Sequence, residues 1–448
     1  MASSALRITE FDEAENVAAT YVQTSSGSSG GSRIDVIPPS DAKSLWQQGL
    51  DVFLPVGYPH SVTSDYMEYQ IYDSLQAFSS SIAALLSSRA VLKSVGVGDA
   101  DATATAALLL SIFQESVGRL ATILFAHRLG MSFEPECKMY RLLADILNDS
   151  GFILDCLSPI FPKPIQVGVL TFSSVLRSLC GVAAGSAKAS LSAHFACWGN
   201  LGELNAKDSS QETVISLMGM WAGSLVVSRV TSPFATWTAL ILLLSIHLET
   251  NRRAVRAVSM RSLNRQRATL VFHHLQKGHV PTPQEISLQE RIFERDGVLR
   301  SKDDRVLGYC AVGVSMKRLL SAISTTDQHT STKSLKIKDD SLLQSILDLY
   351  KDTPYIIWHD TGSPERMFIV LKQGVAAKDI LQAWWQALLF VQSGNLLSME
   401  ARLEALRGAK DAVRQLLERH QDQLVANGWD LDIAALETTA GTRVALGE

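Results

Sequence analysis

The segment FATWTALILLLSIHL, residues 234–248, carries no charged residue, and Arg252, Arg253, Arg256, Arg261, Arg265 and Arg267 follow it closely. Ser232-Pro233 precedes it and marks a helix start after a tight turn. The chain before it, from residue 74 on, is rich in Ala, Leu, Ser and Gly. Further helices are predicted over residues 74–92, 104–126, 167–187 and 213–230. A bilayer-spanning helix needs roughly 20 apolar residues, with a lower limit near 17. The 167–187 and 213–230 segments are long enough, whereas 234–248 is short. The 104–126 segment would set Gln114, Glu115 and Arg119 at mid-depth, which is costly unless they face protein. A basic cluster beside an apolar run predicts that this end stays cytoplasmic.

Composition sharpens the contrast between the two halves. Charged residues are 19% of the 448 and hydrophobic ones 46%, against roughly 25% charged in an ordinary soluble chain. From residue 249 on, charges return at normal density. A large soluble helical bundle is the alternative to a membrane-embedded one. The net charge of −4 leaves no general nucleic-acid footprint. Cys137, Cys156, Cys180, Cys197 and Cys310 have no CxxC spacing, which argues against a disulfide framework or a zinc site. The first residues, MASSALRITEFDEAENV, lack the apolar core of a secretory signal and the Arg-rich pattern of a transit peptide.

Outside the apolar region the elements are ordinary. Residues 16–23 and 32–37 are β-prone and flank a Ser/Gly-rich loop, and a short helix is expected over 42–52. Residues 263–276 read as an amphipathic helix, and PTPQEISLQERIF has a Pro-bounded helix start. A strand is expected over 306–316, then a polar loop over 324–341. A hairpin is expected from 355–359 and 366–371 about residues 360–364. Helices follow over 376–391, with Trp384 and Trp385, and over Met399–Ala426, and a last strand lies within 438–446.

Three polar sets stand out. Lys138, Arg141, Asp145, Asn148 and Asp149 fall three or four apart and share one helix face; Leu143, Ile146 and Leu147 lie opposite. That face is either a solvated, salt-bridged surface or an internal polar stripe lining a cavity. Glu115 and Arg119 form an i,i+4 pair, with Gln114 beside them. Lys207, Asp208 and Gln211 precede the 213–230 helix, where Ser209-x-x-Glu212 fits a capping box. Two Gly-xxx-Gly pairs, Gly181/Gly185 and Gly219/Gly223, allow close helix approach. Ser111-x6-Gly118-x-Leu120 recurs as Ser216-x6-Gly223-x-Leu225, by duplication or by chance. No Walker loop, dinucleotide fingerprint, nucleophile elbow or HExxH occurs.

Several long motifs carry a family resemblance. LPVGYPHSVTSDYMEYQIYDSLQAFSSSIAALLSSRAVL, QESVGRLATILFAHRLG, CKMYRLLADILNDSGFILDCLSP, NLGELNAKDSSQETVISLMGMWAG and ETNRRAVRAV followed by LN together resemble the root UV-B-sensitive (RUS) family, strongly over residues 54–263. The resemblance implies a role in vitamin B6 homeostasis and UV-B-related photoprotection, and supplies no catalytic residues. It makes pyridoxal phosphate or another B6 vitamer the ligand to consider. A phosphate group would need Arg or Lys donors or a helix N-terminus, and Arg119, Lys138, Arg141 and Lys207 are the candidates.

The expected fold is mainly α. A small β-element (1–40) precedes a RUS-type helical, membrane-embedded domain (41–262), and a soluble α+β domain (263–448) follows. The expected function is that of a non-enzymatic membrane protein, a carrier or adaptor in an intracellular membrane, with the C-terminal domain cytoplasmic. Its partners would be the lipid bilayer and another RUS-family protein in a homo- or hetero-oligomer, with no nucleic acid. The alternative is a soluble or peripheral scaffold that recruits partners through the α+β domain. The candidate ligand-binding set is Gln114, Glu115, Arg119, Lys138, Arg141, Asp145, Asn148, Asp149, Lys207, Asp208 and Gln211, with no metal site and no firm cofactor.

Overall fold

The computed structural model describes residues 6–11, 17–25, 32–37, 52–95, 104–323, 340–360, 366–394 and 398–445. The Ser/Gly-rich loop, the helix expected over 42–52, the polar loop 324–341 and the hairpin turn 360–364 lie wholly or largely outside these residues. Helices dominate. In chain order they begin α1 (Tyr66–Val95), α2 (Ala104–Leu129), α3 (Cys137–Leu157), α4 (Lys163–Phe195), α5 (Leu201–Arg229), α6 (Pro233–Ala257), α7 (Arg265–Leu275) and α8 (Pro283–Gln289). The chain divides into two compact units. One comprises Met1–Ala102, Phe152–Gln166 and Lys188–Ala254; the other comprises Thr103–Gly151, Val167–Ala187 and Val255–Glu448.

The first unit opens with an antiparallel sheet of β1 (Arg7–Phe11), β2 (Val17–Ser25) and β3 (Ser32–Ile37). The strand β1 has no counterpart in the sequence expectation; its alternation is weak, and Tyr21 of β2 fastens it by donating to Glu10 at 2.8 Å. Helices α1 and α5 of this unit pack closely because Gly219 and Gly223 remove side chains from the contact. A Cβ on Gly219 would lie 2.6 Å from that of Ser81, and one on Gly223 would lie 2.7 Å from Leu85. Arg89 then ties α1 to the end of α5, donating to the carbonyls of Val227 at 3.0 Å and Val230 at 2.7 Å. Gly181 and Gly185, by contrast, have nothing within 4 Å of an added Cβ.

The second unit holds a sheet of five strands: β4 (Val298–Arg300), β5 (Val306–Val312), β6 (Tyr355–Asp360), β7 (Arg366–Lys372) and β8 (Arg443–Val444). Its order is β4-β5-β7-β6, with β8 also on β7. The expected hairpin is β6 and β7, paired antiparallel from Tyr355↔Leu371 to Asp360↔Arg366. Helix Ala377–Gln392 packs in this core with Trp384 and Trp385 fully buried. Their indole N–H groups donate to Thr269 Oγ1 at 3.0 Å and the Ala268 carbonyl at 2.8 Å, so both rings are buried without an orphaned donor. Thr282 and Glu285 form the capping box that starts α8.

Two expectations need correction. The segment over 213–230 is not a separate helix, because α5 runs unbroken from Leu201. Ser209 is therefore interior, its carbonyl accepting from Thr213 Oγ1 at 2.8 Å, and it caps nothing. Of the six arginines that closely follow residue 248, Arg265 and Arg267 are buried in the second unit.

Among the described residues, four helices are long and apolar enough to cross a membrane: Tyr66–Ser94, Leu108–Ser132, Lys163–Phe195 and Pro233–Ala257. Helix α5 is not among them, since its apolar stretch is confined between Glu212 and Arg229. Only 6% of the most apolar window in Leu108–Ser132 is buried, with Leu108, Ile112, Leu120, Ile123 and Leu124 all exposed.

Candidate functional site

The polar residues of α3 share one face, and that face is turned inward. Lys138, Arg141, Asp145 and Asp149 are buried, whereas Ile146 and Ile153 on the other side are exposed. Asn148 is half-buried. The stripe is internal and salt-bridged, and none of its residues lines the cavity described below. Arg141 Nη1 donates to Asp145 Oδ1 at 3.1 Å, the expected i,i+4 pair. Lys138 reaches instead to Glu290, 2.7 Å away. On α2, Glu115 and Arg119 pair with each other on the exposed side of the helix, and Gln114 is half-buried.

In the first unit, Lys207, Asp208 and Gln211 are occupied by tertiary partners. Gln70 Nε2 donates to Asp208 at 2.9 Å and to Gln211 at 3.2 Å. Gln211 donates to the Phe53 carbonyl at 2.8 Å, and Lys207 to the Val52 carbonyl at 2.7 Å. Lys188 bridges Asp208 and Glu212 at 2.6 and 2.9 Å. These contacts, rather than a cap, account for the polar cluster in α5.

The second unit contains a cavity of about 490 Å³ that none of the predicted residues lines. Ligand pockets of small molecules occupy roughly 300–1,000 Å³. One wall is the turn before α3 and its first residues, with Ser132, Glu136 and Tyr140. A second is α7 and the turn after it, with Arg265, Thr269, His273 and Lys277. The third is the charged segment RIFERDGVLRSKDD, residues 291–304, which carries β4.

Behind these walls a buried ion triad fastens three elements. Lys138 holds one oxygen of Glu290, and Arg267 holds the other at 2.6 Å. Arg267 Nε also donates to the Ser262 carbonyl at 2.6 Å. Burial alone would raise the Glu290 carboxyl; the two cations outweigh it and hold it below the usual carboxylate range. Asn264 caps α7 by accepting from the Arg267 N–H at 2.9 Å, and its amide donates to Glu136 at 3.1 Å. Glu136 is pushed up to about 7, first by burial; Glu290 and Asp296 add to this, and Arg267 and Arg265 oppose it. Tyr140 shares a 2.7 Å hydrogen bond with Ser132. Cys137, between Glu136 and Lys138, turns instead to Met260, 3.8 Å away, and burial pushes its thiol up to about 11.

The arginines of the cavity are matched by acids. Arg265 pairs with Asp296, Arg291 with Asp304, and Arg300 with both oxygens of Glu294 at 2.7 and 2.9 Å. Arg295 lies over the Tyr309 ring, 4.6 Å from its centroid. Among the described residues no acid pairs with Lys277 or Lys302, which are exposed at the cavity. Both act on His273, which is buried and whose Nε2–H donates to the Arg300 carbonyl at 3.0 Å. Burial, then these two lysines, hold the His273 imidazole below its ordinary pKa. Glu136, Tyr140, His273, Lys277 and Lys302 were absent from the residues expected from sequence; the dense alternation of charge over 291–304 is a signal for Lys302 alone.

A family model described as the vitamin B6 photo-protection and homoeostasis domain matches residues 39–278. RUS family member 1 of Dictyostelium discoideum is 41% identical over 248 residues, 54% of this chain and 47% of that protein, so the match spans about half of that relative. Protein root UVB sensitive 3 of Arabidopsis thaliana is 31% identical over 394 residues, 86% of this chain and 83% of that protein. Protein root UVB sensitive 2, chloroplastic, of Arabidopsis thaliana is 26% identical over 425 residues, 94% of this chain and 90% of that protein. No solved structure matches.

Proposed function

The chain belongs to the root UVB sensitive (RUS) family, and from that membership we propose a non-enzymatic membrane protein of vitamin B6 homeostasis and UV-B photoprotection, acting as a carrier or adaptor. The observation that carries the membrane part is the apolar surface of Leu108–Ser132, of whose most apolar window only 6% is buried. Water would leave that surface unfavourably solvated, whereas lipid tails cover it without cost. The Glu115–Arg119 pair on the same helix is expensive against lipid, which supports a second RUS-family chain, the same or another, as cover. Arg252, Arg253 and Arg256 in the last turns of the last apolar helix support a cytoplasmic C-terminal region of a protein held in an intracellular membrane. The matched domain, residues 39–278, includes two walls of the cavity, which supports a B6 vitamer as its ligand.

The test is the vitamer pool of cells lacking this chain, separated by chromatography with and without UV-B. A shifted ratio of phosphorylated to free vitamers, restored by the wild-type chain, is expected. An unchanged pool under both conditions removes the role.

A second reading, a B6-handling enzyme, draws on one observation: Glu136, at about 7, is suited to exchange a proton at neutral pH. It requires chemical change of a vitamer by the purified chain, lost in Glu136→Gln.

A further inference from the structure

Lys277 ends the turn of chain after α7, and Lys302 sits in the turn after β4; the two border one cavity and influence one buried imidazole, His273. Every arginine around that cavity already meets an acid or an aromatic ring. The cavity therefore presents two ammonium groups that, among the described residues, no acid neutralises. A charged cleft with protein walls concentrates ions of the opposite sign. A phosphomonoester carries about −1.5 to −2 charge at pH 7, which matches two lysines, whereas a single carboxylate does not. Leu129, Met139, Leu270 and Val298 also line the cavity, and these apolar side chains suit a compact ring rather than a second charge.

We propose that this cavity is a binding site for a small phosphomonoester with a compact apolar body, its phosphate held by Lys277 and Lys302. The four cations expected from sequence to serve this purpose are otherwise engaged: Lys138 by Glu290, Arg141 by Asp145, Arg119 by Glu115 and Lys207 by the Val52 carbonyl. Glu136 also lines the cavity and, when neutral, adds no repulsion.

Only the choice of vitamer probe rests on the function proposed above. Pyridoxamine 5′-phosphate and pyridoxamine are suitable because neither carries an aldehyde that would react with surface lysines. Phenyl phosphate serves as a phosphomonoester unrelated to vitamin B6. Binding to the detergent-solubilised full chain would be measured by calorimetry. Pyridoxamine phosphate is expected to bind roughly tenfold or more tightly than pyridoxamine, and the Lys277→Ala/Lys302→Ala double variant should abolish that difference. Unchanged thermal unfolding of the variant would verify that the fold is intact, as both side chains are exposed. Equal binding of the two vitamers, or wild-type binding by the double variant, overturns the proposal. If phenyl phosphate binds through the lysines and the vitamer does not, the phosphomonoester site stands and the vitamin B6 ligand falls. If neither monoester binds, the site falls while the membrane reading is untouched.

Discussion

Lys138 Nζ lies 2.7 Å from Glu290 Oε2, joining two buried charges separated by 152 positions in the chain. Arg267 holds the other carboxylate oxygen, so the start of α3, the start of α7 and the end of α8 meet on one residue. Removing one member of a buried ion pair strands the others and costs about 3–5 kcal/mol. Lys138→Met should lower the stability of the full chain by about 3 kcal/mol, read from thermal unfolding in detergent. Because the Glu290 carboxyl is depressed, its contribution is present above the ordinary carboxylate pKa and is lost as pH falls through the folded value. Acid unfolding should therefore shift to higher pH in wild type than in a variant with the whole triad replaced by apolar residues.

Glu136 gives the opposite slope. Its folded pKa of about 7 lies above the ordinary value of 4.5, so the native state holds a proton that the unfolded chain gives up. The favourable contribution is complete below about 4.5 and is lost as pH rises to 7, by up to about 3 kcal/mol. Subtracting the stability profile of Glu136→Gln from that of wild type should isolate this loss. A flat difference between pH 4.5 and 8 would contradict the raised carboxyl.

The two Gly-xxx-Gly pairs should behave differently. Gly219→Ala places a Cβ 2.6 Å from Ser81 Cβ and 3.0 Å from the Phe78 carbonyl, which should cost about 1–3 kcal/mol through displacement of α1 from α5. Gly185→Ala meets nothing within 4 Å and should gain up to about 1 kcal/mol from helix propensity. Equal effects in thermal unfolding would mean that the two helices do not touch at Gly219.

Arg141 points into the stripe of α3 and not into the cavity. Arg141→Ala should weaken the fold by removing the buried pair with Asp145, yet leave phosphomonoester affinity within about twofold, since distant sites act independently. A tenfold loss of affinity in that variant would move the ligand to the stripe.

Local signals made much of the fold legible. Pro233 after Ser232 marks the start of α6, with the Ser232 hydroxyl accepting from the Ala235 N–H at 3.2 Å. Helix Met399–Ala426 has the expected bounds because Ser398 caps it, accepting from Ala401. Tyr355 to His359 and Arg366 to Leu371 are recognisable as strands from their β-branched and aromatic residues. The beginning of α5 was not legible. NLGELNAKD contains Gly and Asn and resembles a loop; it is helical where Gln70, Phe53 and Val52 supply partners for its side chains, a tertiary effect that no window of sequence contains. The same applies to the cavity. Its residues come from 129–140, 265–302 and beyond, and which face of each segment turns inward depends on the Glu290 triad. For α3 the spacing identified the shared face; that the polar side is buried and Ile146 and Ile153 exposed depends on tertiary partners such as Glu290, which meets Lys138 from 152 positions away.

The most direct measurement is alkaline carbonate extraction of membranes from cells that express the full chain, with the pellet and supernatant probed for it. Retention in the pellet, with release only by detergent, is the result predicted by four apolar helices whose surfaces are largely unburied. Release into the carbonate supernatant would contradict a membrane-embedded protein and leave a peripheral or soluble scaffold in its place.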